Sequence, residues 1–168
     1  DDLQRTLAFI PTLSLAAGRP FRVAWSPDGE RIALGATRFG ENDPEEALTI
    51  LLEDGAHRVL HRRVGGIYDI VWSPHGRWLT SVTFGPEPFQ SVVRGVEGGL
   101  LFAGEASVSW SPRGRYLAVA QGHLPLRILD IETGEWQAYE GPGDCWLPMW
   151  NPAPPFGETA KWSTDLMP

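Results

Sequence analysis

The chain has 168 residues, 42% of them hydrophobic and 21% charged, with a formal net charge of −7, enough for one globular domain with a buried core. The acidic balance argues against a nucleic-acid backbone or an anionic membrane as the main partner, since both recruit basic patches. Cys145 stands alone, which excludes an intrachain disulfide, and no targeting segment or membrane-length apolar run is recognisable in this stretch, so cytoplasm and periplasm both stay open.

In chain order, Leu7–Ile10 and Leu13–Ala16 read as two short strands. Phe21, Val23 and Trp25 then alternate with Arg22 and Ala24, the period of a strand. Ser26-Pro27-Asp28-Gly29 closes a turn, because proline presets the second position and glycine accepts the left-handed conformation that ends it. Ile32, Leu34 and Ala36 return as the second strand of a hairpin. A further hairpin follows, Leu48–Leu52 turning at Glu53-Asp54-Gly55 into His57–Leu60. The pattern recurs with Ile70-Val71-Trp72-Ser73-Pro74-His75-Gly76, then Phe89–Val93, a glycine-rich turn and Leu100–Ala103. It recurs again with Val108-Ser109-Trp110-Ser111-Pro112-Arg113-Gly114, then Leu126–Asp130 and Trp136–Tyr139. A decayed fourth copy begins at Met149-Trp150-Asn151-Pro152.

The anchoring tryptophans Trp25, Trp72, Trp110 and Trp150 are spaced by 47, 38 and 40 residues. Self-similarity at this period, carried on four short strands per repeat, predicts an all-β β-propeller built of four-stranded antiparallel blades. The expected blades are 21–64, 67–104 and 106–141, with a composite blade from 145–164 and 3–18, about four blade-equivalents in one domain. Stretches such as Ile70-Val71-Trp72 are apolar on both faces, as a sheet sandwiched between two neighbours requires. Four blades strain a closed ring. Three arrangements follow: a partial ring continued by further blades, half of a homodimeric ring, or a ring closed by this chain alone.

At the WSPxG-type hairpins the chain resembles the WD-repeat and TolB-like β-propellers over nearly its whole length. Leu129-Asp130-Ile131-Glu132-Thr133-Gly134 is similar to a WD-repeat strand ending with leucine in place of tryptophan, whereas Thr49–Leu60 is nearer the TolB-like pattern. No repeat has a full Trp-Asp pair, and only Gly122-His123 approximates the Gly-His start; a divergent member between the two groups is the reading preferred. The resemblance implies a rigid scaffold that binds proteins or peptides. It implies no chemistry of its own.

No nucleophile elbow, zinc-protease motif or phosphate loop is present in the sequence. No cofactor and no metal are expected. His57 and His61 have a helical zinc spacing, but on a strand four residues span about 13 Å, too far for one ion. Glu41-Asn42-Asp43-Pro44-Glu45-Glu46 is acidic without calcium-loop spacing and reads as a solvated loop. Arg58–Arg63 reads as a solvated strand edge. The candidate binding site comes from another register: four residues before each tryptophan stand Phe21, Tyr68, Ala106 and Trp146. In a propeller these positions begin the innermost strand, at the mouth of the central channel, beside Arg22 and Asp69. Phe21, Arg22, Tyr68, Asp69 and Trp146 are therefore the expected contacts for a protein or peptide partner, aromatic anchors with a few charges being the composition of binding hot spots. The plainer alternative is that the aromatics plug gaps between blades. The expected function is a non-enzymatic interaction scaffold; the rival is an accessory propeller that gates the substrate of a larger hydrolase of the prolyl-oligopeptidase type.

Overall fold

The computed structural model describes residues 19–38, 46–54, 56–85 and 89–139, with only the backbone of 19–21. Twelve strands fill these segments: β1 (Arg19–Trp25), β2 (Ile32–Arg38), β3 (Glu46–Glu53), β4 (Ala56–Val64), β5 (Gly66–Trp72), β6 (Trp78–Phe84), β7 (Gln90–Gly95), β8 (Leu100–Gly104), β9 (Ser107–Trp110), β10 (Tyr116–Ala120), β11 (Leu126–Asp130) and β12 (Trp136–Tyr139). They form three four-stranded sheets, β1–β4, β5–β8 and β9–β12, each a meander of antiparallel neighbours in chain order. These are the blades that the repeat predicts. The composite blade from 145–164 and 3–18 lies outside the described residues.

The hairpin turns form as their residues dictate. In the first, the Gly29 amide donates to Ser26 O at 2.9 Å, and Gly29 takes φ +77°. Ser26 Oγ accepts from the Arg31 amide at 2.9 Å, closing the turn from inside. Ser73 and Ser111 do the same for the amides of Trp78 and Tyr116, each at 3.0 Å. Buried serine is thus the hydrogen-bonding hub of the three described repeats. Successive turns also stack. A Cβ on Gly76 would lie 3.2 Å from Arg31 Nη2, and one on Gly114 would lie 3.0 Å from His75 Cδ2.

Sheet faces alternate in the way that sandwiched sheets require. One face of β2 offers Ala33, Gly35 and Thr37, a row of small residues onto which β5 nests. A Cβ on Gly35 would fall 2.7 Å from Ile67, so only glycine permits this approach. The seam between the first two blades closes on Ala33, Leu51, Ile70, Trp72, Leu79 and Val96. The seam between the second and third closes on Val93, Ala106, Leu117, Val119 and Leu129, with Phe102 and Trp110 packed against them. The far face of the first blade buries Ile32, Leu34, Leu48, Ile50 and Leu52. On that same face the first strand leaves Val23 57% and Trp25 50% exposed.

Candidate functional site

The position four residues before the tryptophan has a structural mark that composition does not reveal. Ladder pairing passes from Pro20↔Ala36 to Arg22↔Gly35, and from Ile67↔Thr83 to Asp69↔Val82. Phe21 and Tyr68 are the residues skipped. Each is therefore the extra residue of a β-bulge, a device that bends a strand and re-aims a side chain. Both bulges fall where the chain has just crossed from one blade to the next or entered its first strand. Glycine permits the tight crossing before Tyr68: Gly65 holds φ +119°, and a Cβ there would meet Phe84 O at 2.2 Å.

Tyr68 is 57% exposed and meets Phe89, itself 39% exposed, edge-on at 6.5 Å between ring centroids and 70° between planes. Arg22 Nε donates to Tyr68 O at 2.7 Å, so the first strand of one blade grips the bulge of the next. Phe84, 53% exposed, lies over Gly66 at the same end of the second blade. The result is an aromatic rim of Tyr68, Phe84 and Phe89 beside an exposed guanidinium. Such edge-to-face pairs hold rings in a fixed orientation and leave apolar area for a partner.

The expected contacts divide as follows. Arg22 and Tyr68 are brought together. Asp69 is half-buried and turns back to its own strand, where Oδ1 accepts from the Ile70 amide at 2.9 Å. Phe21 has its backbone at the bulge, its side chain lying outside the described residues, as Trp146 does entirely. In the third blade Ala106 departs from the pattern: it is buried, and its carbonyl accepts from Ser91 Oγ at 2.5 Å, so this position serves the core there. Phe84 and Phe89 escaped the sequence reading. In the sequence they flank Gly85-Pro86-Glu87-Pro88, and aromatics on both sides of a glycine- and proline-rich run were the available signal.

Other candidates behave differently. A bulge between Thr49 and Ile50 pairs His61 with Thr49 and His57 with Leu52, which puts the two histidines on opposite faces of their sheet. Among the described residues no three His, Cys, Asp or Glu side chains gather as metal ligands do. Arg58–Arg63 is more than a solvated edge. Arg58 Nη2 donates to Val96 O, and Arg63 Nη1 to Thr83 Oγ1 at 3.2 Å, both across to the second blade. Glu46 pairs with Arg38 at 3.0 Å. Two carboxyls are held ionised by their turns. Asp28 is lowered to about 2 by the Ser26 hydroxyl, then the Glu30 amide and Arg31. Asp130 is lowered chiefly by Arg115, which reaches it at 2.8 Å.

No protein-family model matches the chain, and no characterised protein matches it in sequence. Solved structures do match in fold. The β-propeller domain of the Trilobed protease from Pyrococcus furiosus, described as having an open velcro topology, aligns with TM-score 0.52 at 17% identity over 73% of this chain and 42% of its own. A candidate 6-phosphogluconolactonase from Bacteroides uniformis aligns with TM-score 0.48 at 18% identity over 79% of this chain and 42% of its own. A second, from Bacteroides fragilis, gives 0.46 at 18% over 76% and 39%. The three four-stranded sheets and the match to the Trilobed protease domain make this an all-β chain of propeller blades. It spans about two fifths of the length of the matched chains.

Proposed function

We propose that the chain is a non-enzymatic interaction module, a divergent relative of the WD-repeat and TolB-like propellers, whose strand-start rim binds a protein or peptide. One observation carries the reading: the bulge at Tyr68 turns an aromatic side chain outward, against Phe89 and with its backbone clamped by Arg22. Exposed aromatic anchors next to an arginine are the surface composition on which binding energy concentrates. In this reading the rim is part of a propeller continued by further blades or paired with a second copy, which is in keeping with the 42% of the Trilobed protease domain's chain that this sequence covers.

The test places a photo-crosslinking amino acid at position 68 and, as a control, at Leu100, which is 55% exposed on the last strand of the second blade. Irradiation in extract of the source cells yields a discrete adduct from position 68 and none from position 100. For the partner so identified, Tyr68→Ala weakens binding at least tenfold while Tm stays within about 2 °C. Equal labelling from both positions, or a collapse of Tm, contradicts the reading.

The rival is a gate on a larger hydrolase. It draws support from one neighbour being a domain of a protease. The coding sequence beyond both ends separates the two: more blades favour the scaffold, an α/β-hydrolase domain favours the gate.

A further inference from the structure

Among the described residues, three buried side-chain atoms in the seam between the first two blades have no hydrogen-bond partner: Thr49 Oγ1, His61 Nε2 and Arg94 Nε. A fourth such atom, Glu46 Oε2, differs in kind because the Arg38 guanidinium stands 3.0 Å away. The three share one location. Thr49 and His61 are ladder partners on β3 and β4, so they project on one face about 5 Å apart at Cβ. That face is the one turned to the second blade, since Leu51, two residues beyond Thr49, packs with Ile70, Trp72 and Leu79. Arg94 projects from the other side, being paired with Leu79 on the face turned to the first blade.

The chemistry of the three atoms is uniform. A hydroxyl, an imidazole nitrogen and a guanidinium nitrogen can all donate, and Arg94 Nε can only donate. Thr49 is 3% exposed, so its hydroxyl is shut off from bulk water. The surroundings are cationic. Arg94 and then Arg63 both act on His61 from within range, and among the described residues no carboxylate is one of the groups that do. Thr83 Oγ1 in the same seam is already satisfied, accepting from Arg63 and donating to Gln90 O at 3.4 Å. Leaving a buried donor unmet is destabilising. An oxyanion offers acceptors to several donors at once, and the Arg94 guanidinium makes the contact charge-assisted, which a water does not.

We infer that the seam between the first and second blades holds a small oxyanion, of the phosphate or sulfate class, on Thr49, His61 and Arg94. This site lies on the third and fourth strands of the first sheet and the third strand of the second, separate from the aromatic rim, and its role is to join blades. It goes beyond the interaction function and stands or falls independently of it.

Inorganic phosphate, sulfate and acetate are titrated into the purified chain at constant ionic strength against chloride, following Tm and the ring-proton NMR signals of His61. Phosphate and sulfate raise Tm saturably and shift the His61 signals with the same midpoint, acetate less. Arg94→Gln raises the apparent Kd for phosphate at least tenfold, and Thr49→Val raises it severalfold. If Arg94→Gln does not fold, the Thr49→Val titration and the wild-type His61 shift decide. Identical behaviour in all four salts overturns the inference and leaves the seam to water. A Tm rise without a His61 response, or unaltered by Thr49→Val, also overturns it, because the anion then sits elsewhere.

Discussion

The two seams between the three blades use the same tryptophan and hold it differently. At the first seam Trp72 is 7% exposed, its Nε1 donates to Ala24 O at 2.9 Å, and the Arg31 guanidinium lies 5.4 Å from the ring centroid. Arg31 also donates to Gly76 O at 3.1 Å in the next turn, and Arg22, Arg58 and Arg63 cross the same seam. At the second seam Trp110 is only half-buried, donating to Thr80 Oγ1 at 3.0 Å, with Ser91 to Ala106 O as a second crossing bond. Here the apolar cluster around Leu117 and Val119 carries most of the joining. A repeated anchor therefore sets where blades meet, and the residues around it set how firmly. Among the described residues, four arginines stitch the first seam, while the second closes on the apolar cluster with Trp110 and Ser91 bonded across it.

That contrast can be broken by unequal responses to equal substitutions. Trp72→Ala empties a buried site and loses a cation stacked on the ring, so it lowers unfolding free energy by about 3–5 kcal/mol. Trp110→Ala, from a half-exposed site, costs roughly half as much. Urea denaturation of the two variants measures the difference, and equal losses would erase the distinction between seams. Gly76→Ala comes next. It places a Cβ at φ +65°, 3.2 Å from Arg31 Nη2, and loses about 1–2 kcal/mol to strain. Arg31→Met keeps the stem but removes the cation over Trp72 and the bond to Gly76, for about 1–2 kcal/mol.

The smallest effects follow pH, and they sharpen the first seam. Burial, then Arg94 and Arg63, lowers the pKa of His61 from its ordinary 6.5. Folding therefore favours the neutral ring, and stability falls as pH drops below about 6.5 until the folded form titrates as well. His61→Gln flattens that part of the Tm–pH profile. Asp28, with its folded value near 2, contributes stability above the ordinary carboxyl range that is lost as pH falls from about 4 toward 2; Asp28→Asn removes this second slope.

Much of the architecture was legible because it rests on local rules. Leu126–Asp130 and Trp136–Tyr139 form strands with the expected bounds, since alternation and the Glu132-Thr133-Gly134 turn specify them without distant contacts. The tryptophans read as inter-blade anchors because an apolar run on both faces has few other uses. The bulges at Phe21 and Tyr68 were invisible: a bulge is a property of pairing between two strands, and either strand alone still alternates. The roles of Arg58 and Arg63 were likewise hidden, since a long basic side chain on an outer strand reads as solvated until a neighbouring sheet supplies Val96 O or Thr83 within its reach. The aromatic position four residues before tryptophan was legible as a pattern. Its failure at Ala106 follows from the second seam, where that residue is packed into the core.

Indole N–H exchange tests directly whether these tryptophans are the joints between sheets. Measured by NMR on the folded chain, the order of protection should be Trp72 most, Trp110 intermediate and Trp25, 50% exposed, close to a free indole. Trp72 exchanging as fast as Trp25 would contradict the account, because the first seam would then not be closed around its ring.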